Sequence, residues 1–406
     1  MEPASRPATQ LKKGACMPAN PSTLVSLTNI PTPYRTHLYN SLAQEMETRG
    51  LGLHVLYMAK SEPGRFWNFE PGKHRYRYTF LKDWTLRLRR YELPFNPDFL
   101  PWIWKHPPRW LMVSGSWYFP TAQMVPLAVN HRQTTTLFWN ESNLAYMERK
   151  TGLVNAWRRR TMDGYDGYVV PGAWAREYVI EYAPSAHHKP FLSLPNVVNE
   201  ALFRDRTAEL RQQRAALRQK WGCDSPGKTV LLTVARIEPI KGIRELVDAL
   251  LHFEKLDSLI LLIAGTGALK EELQTRVRKC GKEANIRFLG YQAETQVLEL
   301  FSLADGFLLP SLGDPYPLVV IEASFANLPL LLSDRVGCHP EALQAGQNGL
   351  LFDPYQPESI RDVLRNFLTA GPGGWQVMGA HSLANAEAVF STRRVVPPFV
   401  DELQKL

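Results

Sequence analysis

Residues 229–242 read TVLLTVARIEPIKG. A run of β-prone apolar residues ends in Arg236, and a short loop then delivers Lys241 and Gly242 to the start of a helical pattern. A continuous apolar run without alternation marks a strand covered on both faces, hence a parallel sheet flanked by helices. Runs of the same kind recur downstream at 259–264, 286–289, 306–309, 329–332 and 349–352. Upstream they stand at 24–28, 53–58, 111–114, 134–139 and 167–170. Helical patterns separate them. A chain of 406 residues carrying two such series reads as α/β, with two doubly wound, Rossmann-like domains. The boundary falls near 190–205, after a His-His-Lys-Pro turn and before a charged helix expected over 206–221.

Composition narrows the class. Hydrophobic residues make up 45% and charged residues 21%, an ordinary globular balance that excludes a disordered chain. A formal net charge of +8 favours anionic partners: nucleotides, phosphates, nucleic acid or an anionic membrane face. Cys16, Cys223, Cys280 and Cys338 are scattered, so they read as reduced thiols in a cytoplasmic chain, with no zinc spacing and no metal expected. No apolar run approaches the roughly 20 residues a bilayer span needs. Residues 1–20 lack an apolar core of the secretory type and read as a flexible leader. Residues 62–110, rich in Arg, Trp, Tyr and Pro, read as an insertion or lid of cationic and aromatic character.

Ligands of open α/β sheets bind outside the carboxyl ends of the strands. After the strand at 229–235, Arg236 and Lys241 beside a helix N-terminus suit a diphosphate. Gly265 and Gly267 after 259–264 permit close backbone approach; as a dinucleotide fingerprint they are weak, and a tight turn serves equally well. Leu289 and Gly290 end a strand where backbone groups could meet a nucleobase edge. The stretch 313–324, GDPYPLVVIEAS, puts Pro317 at a first helical position, where its missing N–H costs nothing. Residues eight apart on one helix differ by about 80° in azimuth and about 12 Å in height. Asp314 therefore belongs to the loop before the helix and Glu322 to its second turn, with the free N–H groups of Leu318 and Val319 between them. Acid, anion site and acid in a row match sugar hydroxyls, diphosphate and ribose hydroxyls. Glu322, an acid within an apolar helix, needs a partner.

The first half is less specific. Asn29 and Arg35 follow the strand at 24–28, and Trp117 follows the strand at 111–114, so all three are read at the cleft, with an ordinary first-turn position the equal alternative for Arg35. Glu141 follows 134–139 and could orient an acceptor or take its proton; alternatively, Asn140 and Ser142 cap a helix over 143–161.

Taken together, ARIEPIKG, IAGTG, FLG and DPYPLVVIEAS resemble the retaining family 4 glycosyltransferases of GT-B fold in order and spacing. The resemblance is strong over about 229–353 and extends to the whole chain by architecture. It implies an N-terminal acceptor domain (21–195), a C-terminal donor domain (196–385) and a last helix (386–406) returning to the first. It implies transfer of a hexose-type sugar from a UDP or GDP sugar, without cofactor or obligatory metal, to a glycan or lipid-linked acceptor in surface polysaccharide or glycolipid assembly. Arg236 and Lys241 then hold the diphosphate, Glu322 the ribose, and Leu318 and Val319 offer N–H groups to phosphate. Asp314 stands where the family usually has Glu, touching the donor sugar. Basic clusters at Arg87–Arg90 and Arg158–Arg160 suggest a peripheral position on the inner face of the cytoplasmic membrane. Within the fold the alternatives are a sugar-nucleotide epimerase, which needs other acids, and a phosphorylase, which needs a pyridoxal lysine environment not found here. Outside it, a nucleic-acid-binding protein rests on the basic balance alone.

Overall fold

The computed structural model describes residues 23–61, 69–88, 91–145 and 152–406. The leader, the start of the aromatic segment (62–68) and Arg89 and Arg90 lie outside these residues. Two sheets dominate. The first comprises β1 (Thr23–Thr28), β2 (Gly52–Tyr57), β3 (Arg77–Phe80), β6 (Trp110–Ser114), β7 (Thr135–Trp139), β8 (Gly167–Val170) and β9 (Phe191–Ser193), in the order β3-β2-β1-β6-β7-β8-β9. A short antiparallel hairpin, β4 (Leu86–Leu88) with β5 (Tyr91–Leu93), stands apart. The second sheet comprises β10 (Thr229–Val234), β11 (Leu259–Ala264), β12 (Ile286–Gly290), β13 (Gly306–Leu309), β14 (Leu330–Ser333) and β15 (Gly349–Phe352), in the order β12-β11-β10-β13-β14-β15. Every pairing within the two large sheets is parallel. The central strands are buried along their whole length, as runs such as LILLIA require when helices cover both faces.

Each sheet reverses its strand order once: between β1 and β6 in the first, and between β10 and β13 in the second. At such a point the loops leaving neighbouring strands diverge and open a crevice. Asn29 follows β1 at the first of these points, and Arg236, Lys241 and Asp314 lie on the loops after β10 and β13 at the second.

Three expectations need correction. Part of the presumed lid is sheet: Arg77–Phe80 runs parallel to β2, with the ring of Phe80 stacked on Tyr57. Its half-exposed aromatic residues hid an edge strand. The helix expected over 143–161 is Leu153–Asp163. Asn140 does not cap it; its amide donates to Ser142 O at 2.9 Å and Ala175 O at 3.0 Å, holding 140–142 as a turn. The charged helix expected over 206–221 is interrupted, with a π-helical turn at Leu202–Arg206 followed by helices Thr207–Arg211 and Arg214–Lys220.

The helix Thr392–Gln404 belongs to the first sheet's core. Val395, Val396, Phe399, Val400 and Leu403 pack with Leu38, Leu42 and Met46 of the helix Pro33–Thr48. Arg49 ties the outside of this pair to Asp401. Phe399 is fully buried, so Phe399→Ala should destabilise the protein by about 3–5 kcal/mol, read as a lower denaturation midpoint. An unchanged midpoint would show that this helix does not complete the core.

Candidate active site

At the crevice of the second sheet, the loop after β10 lies against the loop after β13. The N–H of Leu312 donates to Ile240 O at 2.9 Å. Gly242 has φ +66°, and a Cβ there would fall 1.9 Å from Pro310 O. Only glycine lets these backbones approach so closely. The approach puts the Lys241 ammonium in an ion pair with Asp314, both side chains largely buried. Arg236, by contrast, is exposed and has no ion-pair partner among the described residues. One cation is therefore already committed and the other is available.

Next along the sheet, Gly265 at φ +144° sits where a Cβ would meet Ala235 O at 1.9 Å, and Gly267 where it would meet Ile237 O at 2.5 Å. These glycines bind the loops after β10 and β11 together through Ile237 N–H to Thr266 O, 2.8 Å. The N–H of Gly265 donates to Gly290 O at 2.7 Å, and Leu289 O accepts from the Gln292 amide at 2.8 Å. Both carbonyls at the end of β12 thus have protein partners, and Leu289 is the extra residue at the register shift between β11 and β12.

The helix Leu318–Phe325 begins beside Asp314. Its first N–H groups, Leu318 and Val319, have no backbone acceptor and carry the partial positive charge of a helix start. Glu322 lies in the second turn, half-buried, without a hydrogen-bond or ion-pair partner among the described residues. Burial, with Glu294 nearby, pushes its carboxyl up to about 7.

In the first sheet's crevice, Glu141 is held at both oxygens: by Arg35 Nη2 at 2.7 Å and by Asn196 Nδ2 at 2.6 Å. Arg35 is buried, its guanidinium 3.6 Å from the centre of the Trp139 ring. Asn29 is half-buried, its carbonyl accepting from Ala59 N–H at 2.9 Å. Trp117, expected at the cleft, is instead buried in the core, its ring against Arg158 and Trp157, because its large apolar ring packs with the helices covering the sheet.

Contacts between the two halves converge on the Asp314 loop. Asn143 Nδ2 donates to Pro315 O at 3.1 Å, and the Tyr316 hydroxyl to Pro171 O at 3.2 Å. Gly337 N–H donates to Asp314 O at 2.8 Å, and a Cβ on Gly337 would strike both Pro315 O and Asn143. Glu341 accepts from Ala173 N–H at 2.8 Å, placing a carboxylate at the start of the helix Ala173–Tyr182 in the other half. A cavity of about 420 Å³ between the halves is lined by Leu144, Trp174, Glu177, Asp334, Arg335 and His339 among others. Sequence reasoning missed Asn143, Tyr316 and Asn196, and with them the contact of Glu341 with the first half. No local pattern marks a side chain whose partner lies 55 or more residues away.

Two crevices facing each other across such a seam are the GT-B arrangement of glycosyltransferases. Residues 214–372 match the family described as glycosyl transferases group 1. The sequence is 33% identical over 143 residues to a glycogen synthase of Mycobacterium tuberculosis, covering 35% of this chain and 34% of that one. It is 28% identical over 182 residues to the D-inositol 3-phosphate glycosyltransferase of Rhodococcus jostii, covering 43% and 40%. The chain thus spans between a third and two fifths of the curated relatives it matches. Over the whole fold it superimposes on Anabaena HepE, solved in complex with UDP, with a TM-score of 0.72 at 14% identity, covering 95% of this chain and 99% of that one. For the lipopolysaccharide outer core galactosyltransferase WaaB the TM-score is 0.67 at 13% identity, covering 95% and 100%.

Glu322 binds its proton more tightly in the folded protein than the ordinary value of 4.5. Its contribution to stability is full below that value and is lost as pH rises through about 7. Relative to wild type, Glu322→Gln should therefore gain roughly 2–4 °C in melting temperature on going from pH 5 to pH 8. A gain independent of pH would remove the case for a buried, unpartnered carboxyl.

Proposed function

We propose that the protein is a retaining glycosyltransferase that moves a hexose-type sugar from a UDP or GDP sugar to a glycan or lipid-linked acceptor. The observation that carries this reading is the convergence, at one switch point, of an available cation, a buried cation–acid pair, a helix start and an unpartnered acid. The family match over the same residues supports it. Arg236 faces the diphosphate together with the N–H groups of Leu318 and Val319, and Lys241 adds its charge from the pair with Asp314. Glu322 accepts the ribose hydroxyls, which donate to the ionised carboxylate. Asp314, fixed by Lys241, meets hydroxyls of the donor sugar.

In the reaction, the bond from the anomeric carbon to the phosphate oxygen breaks and its electron pair leaves with the diphosphate. The acceptor oxygen bonds to the same face of that carbon, and its proton passes to the departing phosphate. The protein positions the partners and stabilises the leaving charge with its own cations and N–H dipoles, which is the work a divalent ion does elsewhere. Glu141, held by Arg35 and Asn196, orients the acceptor, and the cavity around Trp174 gives the acceptor room. The wider setting proposed is glycolipid or surface polysaccharide assembly at the inner face of the cytoplasmic membrane. Among the described residues no helix is long and apolar enough to cross a membrane.

Calorimetric titration with UDP-glucose and GDP-mannose tests the reading; binding of neither would overturn it. Because Glu322 must be ionised to accept hydroxyls, binding should weaken about tenfold from pH 8 to pH 6, and Glu322→Gln should flatten that profile. Arg236→Ala should lower turnover at least about a hundredfold, the scale of losing one donor to a developing anion. Lys241→Ala alone orphans a buried Asp314. The double variant with Asp314→Asn separates the two effects, and additive losses would argue against coupling.

A further inference from the structure

The basic cluster Arg158–Arg160 divides in the structure. Arg158 is fully buried, its guanidinium 4.1 Å from the centre of the Tyr182 ring and 5.1 Å from that of Trp117. It pins the helix Leu153–Asp163 to the fold. Arg159 and Arg160 are exposed. On the same helix Leu153 is 89% exposed, Val154 46% and Trp157 52%. Leu153, Trp157 and Arg160 follow one another at helical spacings of four and three, so they form one stripe. No acid occurs from 153 to 162. At and beside β4, Trp84 and Leu86 are 61% and 55% exposed. The loop that follows is tied to the helix Pro120–Ala128 through Asn96 N–H to Thr121 Oγ1, 3.0 Å.

We infer that this face, Leu153, Val154 and Trp157 flanked by Arg159 and Arg160, docks on the surface of a bilayer containing anionic lipid. An indole belongs at headgroup depth, aliphatic side chains just below it, and guanidinium groups at the phosphates. The arginines argue against a second copy of the chain: a two-fold contact centred on the stripe would bring four of them together. The location gives the surface a purpose. Trp157 meets Trp117 edge-on at 6.0 Å, and Trp117 follows β6, one of the two strands that border the first sheet's switch point. Docking there holds the acceptor side of the cleft beside the headgroups, where a lipid-linked acceptor presents its reactive hydroxyl. That last step rests on the function proposed above; the docking itself does not.

The test is flotation with vesicles of phosphatidylcholine alone or mixed with phosphatidylglycerol, at low and high salt. Wild type should float with the mixed vesicles at low salt, and high salt should release it. Leu153→Ser with Trp157→Ser, and separately Arg159→Glu with Arg160→Glu, should each cut the bound fraction at least about tenfold, with UDP-glucose binding retained as the sign of an intact fold. Wild type that ignores the mixed vesicles would overturn the inference, as would variants that float like wild type. A wild-type dimer abolished by Trp157→Ser would also overturn it, in favour of a second copy. Flotation without nucleotide-sugar binding would sink the donor-site reading and leave this one standing.

Discussion

The ion pair between Lys241 and Asp314 joins the two loops that border the switch point of the second sheet. It forms because Gly242 lets one backbone come within contact of Pro310 O. Much else depends on where that pair holds the loop 313–317. Asp314 bonds through its backbone to Arg335 O and Gly337 N–H, while Pro315 and Tyr316 engage the first half of the chain. The loop that begins the helix of Glu322 is therefore also the loop on which the two halves meet. A change in how Asp314 is held would be felt at the seam, and a shift of the seam would be felt at Asp314.

The first crevice is built on a different economy. Its carboxylate is held at both oxygens: Arg35 beneath Trp139 supports one, and Asn196 takes the other. A carboxylate fixed by a buried guanidinium and an amide is a rigid acceptor of hydrogen bonds. Glu322, in the second crevice, is an acid left to its own devices in an apolar helix. One crevice is rigid before anything enters it; the other keeps a group whose charge depends on what enters.

Much of the second half was legible from local pattern. Continuous apolar runs fixed its strands, and glycine and proline marked the turns between them. The placement of Asp314 in a loop and Glu322 in a second helical turn follows from helical geometry alone. What escaped was non-local. Arg35 and Glu141 are 106 residues apart in the chain, and Glu341 finds its donor 168 residues back. Local conflict misled as well: an edge strand of one arginine, one threonine and two aromatic residues read as an insertion, and a plausible cap at Asn140 was spent on a turn. Arg158 read as surface charge because sequence does not reveal that three aromatic rings surround it.

The helix Thr392–Gln404 has a consequence for the order in which the molecule can be made. Chains emerge from the ribosome N-terminus first and fold by domains as they appear. Here the first sheet cannot bury Leu38, Leu42 and Met46 in their final company until residues 395–403 have been synthesised. The second unit, contiguous from Thr229 to Phe352 in its strands, faces no such delay. The half begun first must wait, with part of its core open, for the helix Thr392–Gln404.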